Sequence, residues 1–180
     1  MKNMLIATIM AALFSGVCCS AQKVDNSPIS TPVDLDRYLG RWFEIARFNH
    51  PFEAGITNAT AQYDLRADGK VAVTNSGWRD GKVKTSVGKA KTTDNPAVLR
   101  VSFFGPFYSD YRILMLSEDY QYALVGSKGA NYLWILSRTP SIPAEVRNDI
   151  VKEANRRGYD VSKLIWVDQS ANMPEHSYFH

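Results

Sequence analysis

The side chains from which a metal centre or a covalent catalyst is usually built are few here: His50, His176, His180, Cys18 and Cys19. A metal site needs three or four ligands that converge. The two cysteines are adjacent near the N-terminus, two histidines fall in the last five residues, and His50 stands alone. None of these spacings fits a metal. A Ser–His–acid arrangement could be assembled around His50, with Glu53 three residues on, but no nucleophile elbow accompanies it. The residues therefore predict no enzyme, no metal and no cofactor, with hydrolysis of a lipid or ester as the alternative. The net charge is +3 with both signs interspersed, too weak and scattered for a nucleic-acid surface. What the composition does supply is aromatic side chains, 12% of the residues, for an interior.

The two cysteines belong to a leader. Lys2 precedes an apolar run, "MLIATIMAALF" (4–14), of signal-peptide length and too short to span a bilayer. "SGVCCSAQ" (15–22) then offers two processing routes. Cleavage after Ala21 fits a small–x–small rule, with Cys19 and Ala21 as the small residues. Lipidation of Cys18 or Cys19 is the other route, although Val17 and Cys18, the residues directly before them, fit a lipobox poorly. Either route exports the chain to the cell envelope, as an outer-membrane lipid-anchored protein or a soluble periplasmic one. Residues 1–21 are read as the signal peptide. Residues 22–34 are polar with two prolines and read as a flexible tether. With both cysteines in the leader, the mature domain has no disulfide.

From residue 41 to about 137, short strands recur between turn signals, the rhythm of a sandwich or barrel. The runs are 41–48, 59–65, 70–78, 82–92, 97–104, 111–117, 120–127 and 131–137. "RADG" and "RDG" mark tight hairpins. Eight strands joined consecutively favour an up-and-down antiparallel barrel, just wide enough for one small ligand. Residues 139–158 switch to helical spacing, with Val146, Ile150, Val151 and Ala154 on one face and Gly158 as the stop. The prediction is one amphipathic helix outside the barrel. "KLIWV" (163–167) reads as a short last strand, and 171–180 as a loosely ordered tail.

Strands alternate faces. One set of faces is apolar and aromatic: Ala59, Ala61 and Tyr63; Val71, Val73 and Asn75; Leu99, Val101 and Phe103; Tyr111, Ile113 and Met115; Tyr132, Trp134 and Leu136. The opposite set carries Lys70, Lys82, Lys84, Arg100 and Arg112. Those outward charges argue against a transmembrane barrel, which needs lipid-facing strands. Small inward residues such as Ala61, and polar ones such as Asn75, suit a ligand cavity. A packed interior in which the tyrosines find backbone partners is the other reading. Aromatics in "NHPF" and "PFYSDY" would lie near strand ends, as a rim meeting a membrane surface or a second copy, or as ordinary loop packing.

Three short motifs add specificity. Gly40-Arg41-Trp42 opens the first strand, "SDY" (109–111) opens the sixth, and Arg138 ends the eighth in "LWILSRTP". They resemble the signature of the lipocalin family. "YLGRWFEIARF", "YLWILSRTP" and "GYDVSKLIWV" resemble the bacterial lipocalins of the outer-membrane lipoprotein type, related to apolipoprotein D. The resemblance covers about residues 34–168. It implies an all-β fold, an eight-stranded calyx with a helix packed outside, filling residues 35–170. It also implies non-covalent binding of fatty acids or lysophospholipids, for lipid transport or storage at the envelope. The expected ligand contacts are Ala61, Tyr63, Val73, Asn75, Val101, Phe103, Tyr111, Ile113, Tyr132 and Trp134. The headgroup would stay at the open mouth, near His50 and Tyr108. On physical grounds, Trp42 can plug the closed end, Gly40 lets the chain pass beneath it, and Arg138 can lie over the indole. A monomer or weak homodimer is expected.

Overall fold

The computed structural model describes residues 23–172; the expected signal peptide with Cys18 and Cys19, and His176 and His180, lie outside them. Eight strands follow in order: β1 (Gly40–Phe48), β2 (Thr57–Leu65), β3 (Val71–Arg79), β4 (Lys82–Thr92), β5 (Val98–Phe104), β6 (Phe107–Leu116), β7 (Tyr122–Gly126) and β8 (Leu133–Ser137). Each pairs antiparallel with the next, and β1 pairs with both β8 and β2, which closes the barrel. A short helix, α1 (Leu35–Tyr38), precedes β1. A longer one, α2 (Ala144–Arg156), follows β8 and leads to β9 (Leu164–Trp166).

The first strand turns from one neighbour to another. Its β2 pairing ends at Phe43↔Thr60, while Ala46–Phe48 pairs with β9. A bulge between Glu44 and Ala46 re-aims the strand there. The split between β1 and β2 is stitched by the C-terminal segment. Gln169 Nε2 donates to the carbonyls of Glu44 (2.7 Å) and Ala59 (2.8 Å), and Asn58 N donates to Asp168 O.

Two apolar cores result, one on each side of the barrel wall. The inner core joins Trp42, Tyr63, Val71, Val73, Leu99, Ile113 and Leu136. The outer core lies under α2, where Ile150 and Ala154 meet Ile45, Leu124, Leu133 and Ile135. The helix ends in a Schellman motif: Gly158 N bonds Asn155 O, Tyr159 N bonds Ala154 O, and Gly158 takes φ +85°.

Three expectations change. The described part of residues 22–34, read as a flexible tether, is laid along the barrel. Ile29 N bonds Ile113 O, Asp25 N bonds Arg157 O, and Arg157 and Arg112 hold the carbonyls of Ser27 and Asn26. Met115, placed inward by strict alternation, joins the outer core, because a bulge between Ile113 and Met115 inserts a residue into β6. Lys82 and Lys84, placed outward, pair with Arg79 and Gly77 and so share the face of Val71 and Val73.

Candidate functional site

The floor of the barrel is built on Gly40 and Trp42. Gly40 sits at φ +91°, and a Cβ there would lie 3.5 Å from the Arg138 guanidinium. Trp42 is fully buried and donates from Nε1 to Tyr38 O at 2.9 Å. The Arg138 guanidinium carbon lies 3.8 Å from the Trp42 ring centroid. Its nitrogens donate to the carbonyls of Arg37 (2.8 Å), Arg41 (2.8 Å), Tyr38 (3.1 Å) and Tyr120 (3.3 Å). Three of these carbonyls end α1 or begin β1 and the fourth, of Tyr120, lies in the turn between β6 and β7, so one side chain ties the floor segments together.

Above the floor three tyrosine hydroxyls meet. Tyr38 and Tyr111 are 2.6 Å apart, and Tyr63 donates to Tyr111 at 3.1 Å. Burial pushes all three hydroxyls up in pKa, Tyr63 to about 12, so they stay protonated. Tyr38 is absent from the sequence-based set because it precedes the first strand.

Of the expected wall residues, Ala61, Tyr63, Val73, Val101, Phe103, Tyr111, Ile113 and Trp134 belong to the inner core or pack against it, Asn75 shares the face of Val73, Tyr132 precedes β8, and their burial is graded. Ala61, Tyr63, Val73 and Ile113 are buried. Asn75, Val101, Phe103, Tyr111, Tyr132 and Trp134 are half-buried. On β5 the gradient runs along one face: Leu99 is buried, then Val101 and Phe103 are half-open. Inside a closed barrel, that gradient means access from one end. The amide oxygen of Asn75 is buried without a partner. Between β4 and β5, which stop pairing beyond Lys89↔Ser102, a groove of about 240 Å³ is lined by Gly88, Ser102 and Phe103 among others. That is smaller than a typical ligand pocket of roughly 300–1,000 Å³.

At the mouth a polar cluster lies under the β1–β2 loop, residues 49–56. Arg47 donates to Glu44 Oε1 at 2.7 Å and to the loop carbonyls of Glu53 (2.7 Å) and Ile56 (3.1 Å). The Glu53 carboxylate accepts from Trp134 Nε1 at 3.2 Å and lies 2.9 Å from His50 Nε2, in a contact too bent to be a hydrogen bond. His50 packs on Phe52, Tyr132 and Trp134. Burial first, and Glu53 second, push the Glu44 carboxyl up to about 8, against the pull of Arg47. Sequence reading missed Glu44 and Arg47. Their spacing of three breaks alternation and needs the bulge at Glu44–Ala46 to face both inward. The apolar pair Ile45-Ala46 between two charges was the available signal.

This arrangement can hold an apolar body and orient one polar end. Among the described residues, neither ring nitrogen of His50 has a hydrogen-bond partner.

Comparison with known proteins places these features. The chain matches the lipocalin-like domain over residues 33–169. It is 46% identical over 169 residues to outer membrane lipoprotein Blc of Escherichia coli (strain K12), covering 92% of this chain and 96% of that protein. It is 33% identical over 186 residues to mouse apolipoprotein D, covering 96% of each. Insecticyanin from the tobacco hornworm Manduca sexta matches in structure, with a TM-score of 0.65 at 21% identity over 81% of this chain and 85% of that one. At that identity the likeness speaks to the fold.

Proposed function

The chain belongs to the lipocalin family, and from that membership we propose that it is a non-covalent carrier of single-chain lipids, fatty acids or lysophospholipids, in the bacterial envelope. The observation that carries the reading is the graded interior. The inner face is buried and sealed at the Trp42–Arg138 floor and half-open toward Trp134 and Phe103. An acyl chain lying along Ala61, Val73, Val101, Phe103, Ile113 and Trp134 would leave its headgroup at the mouth. Each fully buried CH₂ contributes up to roughly 0.8 kcal/mol before ordering costs. Similarity to an outer membrane lipoprotein supports placement in the envelope. Transport and storage both use such a cup, and neither needs a covalent step.

The test is native mass spectrometry of the chain purified from envelope fractions, with lipid extraction. A co-purifying or added oleoyl lysophospholipid is expected at one per barrel. Consistent absence of any acyl adduct, before and after lipid addition, would remove the reading. The same spectra read the N-terminus. A diacylated Cys18 or Cys19 marks an anchored form, and an N-terminus at Gln22 marks a soluble one.

A further inference from the structure

The hairpin of β3 and β4 carries its charges on the wrong side for a water-soluble barrel. An unbroken ladder runs from Val71↔Ala90 to Arg79↔Lys82. Val71, Val73 and Ala90 lie in the inner core, and the ring of Phe103 stands where a Gly88 side chain would go. With no bulge in the ladder, the same face continues through Asn75↔Ser86 and Gly77↔Lys84 to Arg79↔Lys82. Arg79, Lys82 and Lys84 therefore stand on the concave face, at the mouth. The opposite, convex face shows Trp78, Val83 and Val87 to solvent, at 43%, 59% and 68% exposure.

A one-residue slip would bury the valines and free the lysines. The turn prevents it. Asp80 and Gly81 both take positive φ, +53° and +69°, as a two-residue primed hairpin turn requires. Conflict between local pattern and fold marks functional positions more often than neutral ones.

The cations are also unpaired with acids. Among the described residues, none of Arg79, Lys82 and Lys84 has a carboxylate within 4.0 Å. Arg79 donates to Phe52 O at 3.2 Å, and its Nε is buried without a partner. Below them the Asn75 amide oxygen is likewise unpartnered. Asp80 sits at the turn, and Glu53 is held by Trp134.

We propose that the concave face of the β3–β4 hairpin is an anion subsite: Arg79, Lys82 and Lys84 receive the phosphate or carboxylate of a lipid whose chain lies in the barrel. The proposal rests on the lipid-carrier reading and adds a charge preference to it. Anionic amphiphiles bind more tightly than neutral ones of equal chain length, and the difference shrinks with salt.

The test uses oleoyl lysophosphatidic acid and monooleoylglycerol, two ligands with the same chain. Affinities are measured for the native chain, for K82Q/K84Q, and for K89Q/K91Q, which removes equal charge from the opposite face of β4. K82Q/K84Q should weaken lysophosphatidic acid about fivefold, the scale of two exposed ion pairs. Monooleoylglycerol should be unchanged for every variant, which also shows that the barrel is intact. Inorganic phosphate at constant ionic strength separates the sources. Competition assigns the site to any phosphate, and lack of competition assigns it to the lipid headgroup; both sustain it. Unchanged lysophosphatidic acid affinity in K82Q/K84Q, equal loss for both ligands, or equal loss in K89Q/K91Q would overturn the subsite and leave lipid binding standing. Failure of the native chain to bind either ligand would instead remove the carrier reading, and the subsite with it.

Discussion

Arg138 ties the segments of the floor together at one point. Its planar fork reaches four carbonyls while lying over the Trp42 ring. A lysine keeps the charge but is a single flexible point donor. Arg138→Lys should therefore lower stability by about 2–4 kcal/mol, because several carbonyls lose their donor and the stacked plane is gone. Urea unfolding measures this, and a loss under about 0.5 kcal/mol, the range of an ordinary surface change, would disprove the role. Glu44 is the contrasting case, a buried carboxyl whose pKa rises from 4.5 to about 8. The folded state then holds a proton that the unfolded chain has released. This group's contribution is fully present below pH 4.5 and is lost as pH rises through 8. Glu44→Gln should remove that dependence. Relative to wild type it gains stability between pH 5 and 8, by at most about 1.4 kcal/mol per pH unit. A difference that stays flat across that window would mean that the carboxylate is ionised in the fold throughout. Both roles were unequally legible in the sequence. Gly40, Trp42 and Arg138 form a motif with a physical logic of its own. Glu44 and Arg47 face inward only because of a bulge, and bulges leave little trace in residue order.

Elements were legible where a period is strong and a turn is explicit. The eight strands, the helix stop at Gly158 and the short β9 all follow from spacing, and each lies within a few residues of its expected bounds. What spacing could not give was side. A two-residue period fixes which residues share a face and leaves open which face is in. For β4 the polar pattern pointed the lysines outward, while the Asp80-Gly81 turn and the Val71↔Ala90 pairing turn them to the mouth. The β1–β2 split was equally hidden, since the C-terminal segment that closes it lies 110 residues or more along the chain. Gln169 bridges Glu44 O and Ala59 O across the gap. Gln169→Ala should leave two buried carbonyls without that donor and cost about 1–3 kcal/mol. The loss should be local. Amide exchange at Val167 and Asn58, whose N–H groups bond across the same seam, should quicken, while β3–β5 keeps its protection. Uniform quickening over the barrel would show that the seam is not a separate element.

At the scale of the whole molecule, two cores share one wall and face different tasks. The outer core, under α2, is closed by Ile150 and Ala154, both fully buried. The inner core thins toward the mouth, so the part of the barrel that gains most from a ligand is the part farthest from Trp42. A bound acyl chain should raise stability by mass action, by about 2.7 kcal/mol at a free concentration of 100 Kd. It should do so without touching the floor. The four tryptophans make this separable by position. Trp42 is buried at the closed end, Trp78 stands on the convex face of β3, and Trp166 lies outside the barrel under Arg147 at 3.6 Å. Only Trp134 lines the half-open interior, with its ring stacked on Tyr132 at 5.7 Å. On titration with an 18-carbon lysolipid, the emission change should come from Trp134. Trp134→Phe should abolish most of that change while the ligand-induced rise in melting temperature persists, since Phe keeps an apolar ring on the wall. An emission change that survives in Trp134→Phe would place the lipid outside the calyx, against the convex or helical face of the barrel.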